Sequence, residues 1–277
     1  MTLSFNIEYR TNWGEGVRVL GSIPELGNNQ PDKAIPLHSA DGIHWKAEAD
    51  IHIPENKTVN YSYHIYQDDK VVRSEWNNLP RTLHVTDNPK KIYRIEDCWK
   101  NLPAQQYLYT SAFTESLLAH HEHDTILQSF KKGLLIKAYA PCIDNDHCLA
   151  LCGNQKALGE WNPDKAVPMS DIDFPEWQVE LDADKISYPL EYKFILYNKK
   201  ERRAVAWEDN PNRYMANPQI AANETLVVGD RYVYFNLPAW KGCGVAIPVF
   251  SLRSEKSFGV GDFGDLKRMI DWAAATH

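Results

Sequence analysis

Apolar and polar residues alternate with a period of two along many short stretches of this chain. SFNIEYR, GVRVLGS, VNYSYHIY and KIYRIED do so in the first hundred residues, and LLIKAYA, CLALCG, WQVELDA, LEYKFILY and TLVVGDRYVYF do so after residue 133. Successive side chains of an extended strand point to opposite faces, so the alternation predicts half-buried strands, and the Gly, Pro, Asn and Asp clusters between them predict turns. Many short strands in about 100 residues predict an antiparallel, immunoglobulin-like β-sandwich in each half. Two segments depart from this period. Between Thr110 and Glu122, Phe113, Leu117 and Leu118 fall at helical spacing, which predicts a short amphipathic helix packing the sandwiches together. After Trp240 the run VAIPVFSL reads as a buried strand, and Leu266, Met269, Ile270 and Ala273 form a helical stripe behind Asp265 as N-cap. One such β-loop-α unit, Cys243 to His277, cannot bury its own faces, so the protein is expected to continue beyond it.

The halves are copies of one another. GSIPELGNNQPDKAIPL, from Gly21 to Leu37, overlays GNQKALGEWNPDKAVPM, from Gly153 to Met169, without a gap, and Trp45 falls on Trp177 at the same offset of 132. Further on, Tyr63 to Ile65 reads against Tyr192 to Phe194 and Trp76 against Trp207, at offsets of 129 and 131 that imply small loop deletions. The predicted organisation is a first sandwich over 1–101, a linker with a short helix over 102–132, a second sandwich over 133–236, and the start of a further domain over 237–277.

Composition narrows the partners. A net charge of −7 argues against nucleic acid, which needs a concentrated basic face. No apolar run approaches the roughly 20 residues that span a bilayer, and Met1 leads straight into a strand pattern, so neither membrane nor signal sequence is expected. The 5 Cys are odd in number and lack a C-x-x-C pair, which predicts reduced thiols and a cytoplasmic setting. No metal and no cofactor is expected; His120, His121 and His123 read as a solvated linker face. GVGDFG, Gly259 to Gly264, fits the dinucleotide fingerprint only in letters, since the required acidic strand would lie beyond His277.

Nine Trp exceed what two small cores need. Trp161 in LGEW and Trp207 in AWEDNPNR are flanked by polar turn residues. The C–H-rich face of a sugar packs on an indole while its hydroxyls keep hydrogen bonds at the rim, so the pair is a candidate sugar platform, with Lys193, Glu208 and Asn212 suited to the rim. Both Trp could equally be sandwich core, as Trp177 in PEWQVEL is expected to be. Trp13, in the turn RTNWGEG, is a second candidate platform. No nucleophile elbow or convincing acid pair is present, and no complete active site is expected.

LGEW, PEW, LEYKF and WEDNPNR resemble the motifs of the family-20 carbohydrate-binding module, the starch-binding domain, from about Leu134 to Phe235. The resemblance implies glucan stacked on Trp161 and Trp207 and hydrogen-bonded by Lys193 and Asn212, with Glu208 beside them. In the first copy Asn29 stands for the first Trp, His64 for the Lys, and WNNLPR lacks the Asn. The family's second site has an aromatic at the position of Trp13, where the second copy has Asn145. GVAIPVFSLRSEKSFGVGDFGDLKRMIDWAA is similar to the start of a family-77 glycoside hydrolase, a 4-α-glucanotransferase whose (β/α)8 barrel needs roughly 250 residues. What these resemblances imply is a mainly β pair of starch-binding domains followed by a barrel stub. The implied partners are an α-glucan polysaccharide or malto-oligosaccharide and the remainder of the parent glucanotransferase barrel. The alternative is that the sandwiches are docking modules whose Trp are buried in protein contacts.

Overall fold

The alternating stretches of both copies are strands. In the computed structural model of the protein, residues 1–76, 78–117, 128–236 and 246–276 are described, and they divide into Met1–Asn236 and Leu237–His277. The first copy contributes β1 (Thr2–Glu8), β2 (Glu15–Gly21), β3 (Ile35–Pro36), β4 (His44–Asp50), β5 (Thr58–Gln67), β6 (Lys70–Ser74), β7 (Arg81–His84) and β8 (Ile92–Cys98). The second contributes β9 (Gly133–Tyr139), β10 (His147–Gly153), β11 (Val167–Pro168), β12 (Ser170–Asp173), β13 (Glu176–Asp182), β14 (Leu190–Asn198), β15 (Arg203–Trp207), β16 (Arg213–Met215) and β17 (Glu224–Tyr232). Each copy has its own five-stranded sheet, β3-β2-β5-β6 with β7 on β5, and β11-β10-β14-β15 with β16 on β14.

The other sheet is shared. Its order is β12-β13-β9-β17-β8-β1-β4, so the last strand of each copy pairs with the last strand of the other. That β8–β17 pairing is parallel, with Ile92 opposite Glu224 and Ile95 opposite Val227, and the pairs β1–β8 and β17–β9 on either side of it are parallel too. The seam explains a feature of the sequence. LLIKAYA is buried along its whole length because its alternate residues serve different cores. Leu134, Ile136 and Leu226 join Trp177 and Phe194 in the second core, whereas Leu135 and Val227 join Phe5, Tyr63 and Ile95 in the first. Trp45 and Trp177 occupy matching core positions, their indole N–H groups donating to the carbonyls of Tyr9 and Ala140, both at 3.0 Å.

Charge is also buried along this seam. Arg81 pairs with Glu75 at 2.9 Å and Asp97 at 3.1 Å, and the phenols of Tyr61 and Tyr63 donate to Asp97 at 2.9 and 3.0 Å. From the second copy Lys137 donates to the carbonyl of Thr82 and pairs with Glu176 at 2.5 Å, while His84 meets Asp173 at 2.9 Å. Strand pairing and this network therefore unite the copies, where the sequence predicted a packing helix. Among its described residues the linker forms a 3-10 turn, Gln106–Tyr109, and a π-helical turn, Ala112–Leu117. Phe113 does pack against the cluster of Leu108, Tyr109 and Tyr139, which Trp76 of the first copy and Tyr232 of the second also join. Leu118, His120, His121 and His123 lie outside the described residues.

In the second unit the expected buried strand is not formed among residues 246–252. Pro248 cannot donate to a ladder, Val249–Ser251 is a 3-10 turn, and Ile247 and Phe250 are exposed; Val245 lies outside the described residues. The predicted helix is present as Phe263–Thr276, but its cap is Asp262 and not Asp265. Asp262 Oδ1 accepts from the backbone N–H of Gly264 and Asp265, and Asp265 Oδ2 accepts from that of Asp262, a reciprocal capping pair. Ile270 on the apolar stripe is 58% exposed in this unit.

Candidate functional site

The loop after β10 is tied down before it reaches Trp161. Gln155 exchanges two hydrogen bonds with the backbone of Ser187, and Asn154 bonds the backbone of Pro189 and Glu191. The chain then turns through three left-handed residues, Gly159 (φ 78°), Glu160 (φ 53°) and Trp161 (φ 62°). Gly159 is required there, since a Cβ would lie 2.8 Å from the carbonyl oxygen of Lys165. A bulky side chain at positive φ costs about 1–3 kcal/mol and persists only where the surroundings hold it. The turn thus presents a half-exposed indole in a conformation that the residue itself disfavours.

Trp207 closes the second strand of the hairpin β14–β15, opposite Ile195 on the outer face of its sheet. It is 37% exposed, and its ring centroid lies 6.4 Å from that of Trp161 with 42° between the planes, so the two indoles form one angled platform. Lys193, two residues before Ile195 on the same face, donates from Nζ to the backbone carbonyl of Glu208 at 3.1 Å. Asn212 is exposed and donates to Glu191 Oε2 at 3.4 Å. Glu208 departs from its expected place at the rim. It is only 2% exposed, and its carboxylate accepts from the backbone of Phe194 at 2.9 Å and from Arg213 at 2.9 and 3.2 Å. A buried carboxylate needs such partners, so its part is to fix the chain behind Trp207. Sequence reasoning passed over Glu191 and Arg213; the spacing of Glu208 and Arg213 was the available signal.

The strand pairing also corrects the alignment of the copies. Val19 pairs with Tyr63 and Leu151 with Phe194, so Tyr63 corresponds to Phe194 and the offset is 131. The buried pair Glu75–Arg81 holds the backbone N–H of Tyr63 as Glu208–Arg213 holds that of Phe194. It follows that Ser62, not His64, stands for Lys193, and that Ser74, not Trp76, stands for Trp207. Trp76 instead packs edge-on against Tyr109 of the linker at 5.1 Å. Asn29 sits at φ 58° where Trp161 has φ 62°, a conformation Asn tolerates. Where the second copy has its platform, the first has a closed polar chain in which His64 bridges Ser62 and Ser74 at 2.9 and 2.8 Å.

Trp13 stands alone on its turn, fully exposed, next to Gly14 at φ 81°. The turn is held by Glu15, which accepts from the backbone of Asn12 at 2.8 Å and pairs with Arg73 at 2.5 Å. These bonds, from Arg73 first, lower the Glu15 carboxyl from 4.5 to about 2. Among the described residues no group of His, Cys, Asp and Glu is arranged to hold a metal ion, and no helix is long and apolar enough to cross a membrane.

A family model described as "Starch binding domain" matches residues 1–93 and again 137–227, and one described as "4-alpha-glucanotransferase" matches residues 247–277. The 4-alpha-glucanotransferase DPE2 of Oryza sativa subsp. japonica is 26% identical over 99% of this chain and 30% of its own length. The chain therefore spans under a third of that relative. A glucoamylase of Neurospora crassa is 28% identical over 35% of this chain and 16% of its own. Among solved structures, the family 20 module of the maltotetraose-forming amylase from Pseudomonas Saccharophila STB07 aligns with 35% of this chain and 98% of its own, at 18% identity and a TM-score of 0.28. The stretches matched by the first model make up well over half of the sequence, so the chain belongs to the starch-binding domain family and carries that domain twice.

Proposed function

We propose that the second copy binds α-1,4-glucan on the outer face that carries Trp161 and Trp207. The two half-exposed indoles would stack successive glucose rings, and Lys193 and Asn212 would hydrogen-bond the hydroxyls at their edges. The observation behind this reading is the angled Trp pair, its ring centroids 6.4 Å apart and both indoles part-exposed on one face. Trp13 of the first copy is a separate, isolated platform, supported by its complete exposure. The starch-binding family match favours this reading over one in which the sandwiches dock a barrel or a second subunit. Calorimetric titration of the whole chain with β-cyclodextrin tests the reading. Trp207→Ala should weaken binding at least tenfold, about 1.4 kcal/mol or more for a lost stacking face. Unchanged affinity in the folded variant would overturn it.

The match of residues 247–277 and the rice relative's name support a wider reading, in which the chain holds glucan for a glucanotransferase barrel that follows it. The barrel would transfer glucosyl units between α-1,4-glucans, and these residues by themselves would transfer none. A cytoplasmic location accords with Cys98, Cys142, Cys148 and Cys152 all being free thiols.

A further inference from the structure

The hairpin tip beyond the Trp platform differs in charge between the copies. From the end of β14 to the first residue of β15 it reads Lys199, Lys200, Glu201, Arg202 and Arg203, four cations and one carboxylate, whereas between β5 and β6 it has Asp68 and Asp69 before Lys70. The chain as a whole is acidic at −7, so the basic tip runs against its composition. Two of its cations are neutralised, Lys200 by Asp146 at 2.7 Å and Arg203 by Glu201 at 2.6 Å. Lys199 and Arg202 are exposed and have no carboxylate partner among the described residues. Arg202 has a left-handed backbone, φ 52°.

These two cations continue the platform. Lys193, Ile195 and Tyr197 alternate along β14 and so face one way, Tyr197 packing with Ile195 and Ala204 on that outer face, and Lys199 is the first residue of the turn that follows the strand. Trp207 and Arg203 are the two ends of β15, four residues or about 13 Å apart at the usual strand rise. A glucan lying on Trp161 and Trp207 and following the strand reaches the tip within a few sugar rings.

We propose that Lys199 and Arg202 form an anion subsite of the glucan face, selective for α-glucan bearing a phosphate monoester over neutral glucan. This rests on the glucan reading above. Two exposed ion pairs contribute modestly and are screened by salt, so the preference should be roughly three- to tenfold at low ionic strength and shrink at 0.3 M salt. The first copy has Asp68 and Asp69 at the same turn, Asp69 paired with Arg18, and should show no such preference.

The test uses the whole chain titrated with maltoheptaose, with maltoheptaose carrying one 6-phosphate, and with inorganic phosphate alone. The expected result is tighter binding of the phosphorylated sugar at 20 mM salt, with the advantage lost in K199Q/R202Q while neutral maltoheptaose binds as before. Equal affinity of the two sugars for the wild type overturns the subsite and leaves the platform standing. Failure of both sugars to bind overturns the platform itself. Inorganic phosphate, or a single-stranded oligonucleotide, binding as tightly as the phosphorylated sugar would also overturn the proposal, showing a general polyanion patch.

Discussion

The ammonium of Lys100 lies 3.3 Å from the phenol oxygen of Tyr139, and the two residues belong to different copies. Lys100 also donates to the carbonyl of Leu79 and lies over the rings of Trp76 and Tyr139. Burial, reinforced by the neighbouring Arg81 charge, pushes its pKa from 10.5 down to about 8.

From that depression a pH dependence follows. Above about pH 8 the folded chain releases a proton that the unfolded chain still holds, so stability should rise with pH. Tyr61, Tyr63 and Tyr139, raised chiefly by burial, act in the opposite sense once unfolded phenols ionise near pH 10. Cys142, Cys148 and Cys152, raised by burial, also act in the opposite sense as unfolded thiols ionise near pH 9. Between pH 7 and 9.5 the unfolding free energy from urea titrations should therefore gain about 1–2 kcal/mol in the wild type relative to Lys100→Met. Equal slopes of wild type and variant in that window would refute the assignment.

Trp161 and Asn29 share a backbone conformation, which allows binding to be separated from folding. Trp161→Asn should leave stability unchanged or raise it by about 0.5–1 kcal/mol, because Asn is at ease in the left-handed region. The same variant should lose at least tenfold in β-cyclodextrin affinity. A drop in melting temperature as large as that of a core Trp would mean that the indole is structural.

Trp13→Ala should reduce retention on a starch gel and leave β-cyclodextrin affinity at the Trp161 face unaltered. The two platforms would act through avidity on a long glucan but separately on a short ligand. Identical retention of variant and wild type would restrict glucan binding to the second copy.

The seam can be tested without removing either copy. With a protease site inserted between His121 and Glu122, the cleaved chain should elute as one species holding both halves and separate only in denaturant. Separation in native buffer would show that the β8–β17 pairing is too weak to hold them. Arg81→Met, which strands Glu75 and Asp97 without their cation, should cost about 3–5 kcal/mol by chemical denaturation.

The strands, the duplication and the Trp161 loop were legible because a gapless motif with a glycine-dependent turn leaves the same letters in both copies. The register beyond Asn60 was not. Tyr61, Tyr63 and Tyr66 offer several ways to lay one aromatic strand on another, and the lengthened β14–β15 hairpin moved Trp76 into false alignment with Trp207. Glu208 looked like a rim group because a carboxylate's burial depends on Arg213, five residues away across a turn. The seam left no trace of its own: KIYRIED and TLVVGDRY read as ordinary half-covered strands, and nothing local says that one will lie beside the other.

Annealing β8 to β17 removes two open sheet margins at once. Each sandwich standing alone would offer a bare row of backbone donors and acceptors to any passing strand, the usual route to domain exchange and fibre growth. Here each margin is occupied by the sister copy, tethered through the same chain and therefore present at high local concentration. A change that loosens the first copy should consequently reveal itself as self-association through the margin of β17, before any loss at the distant indoles.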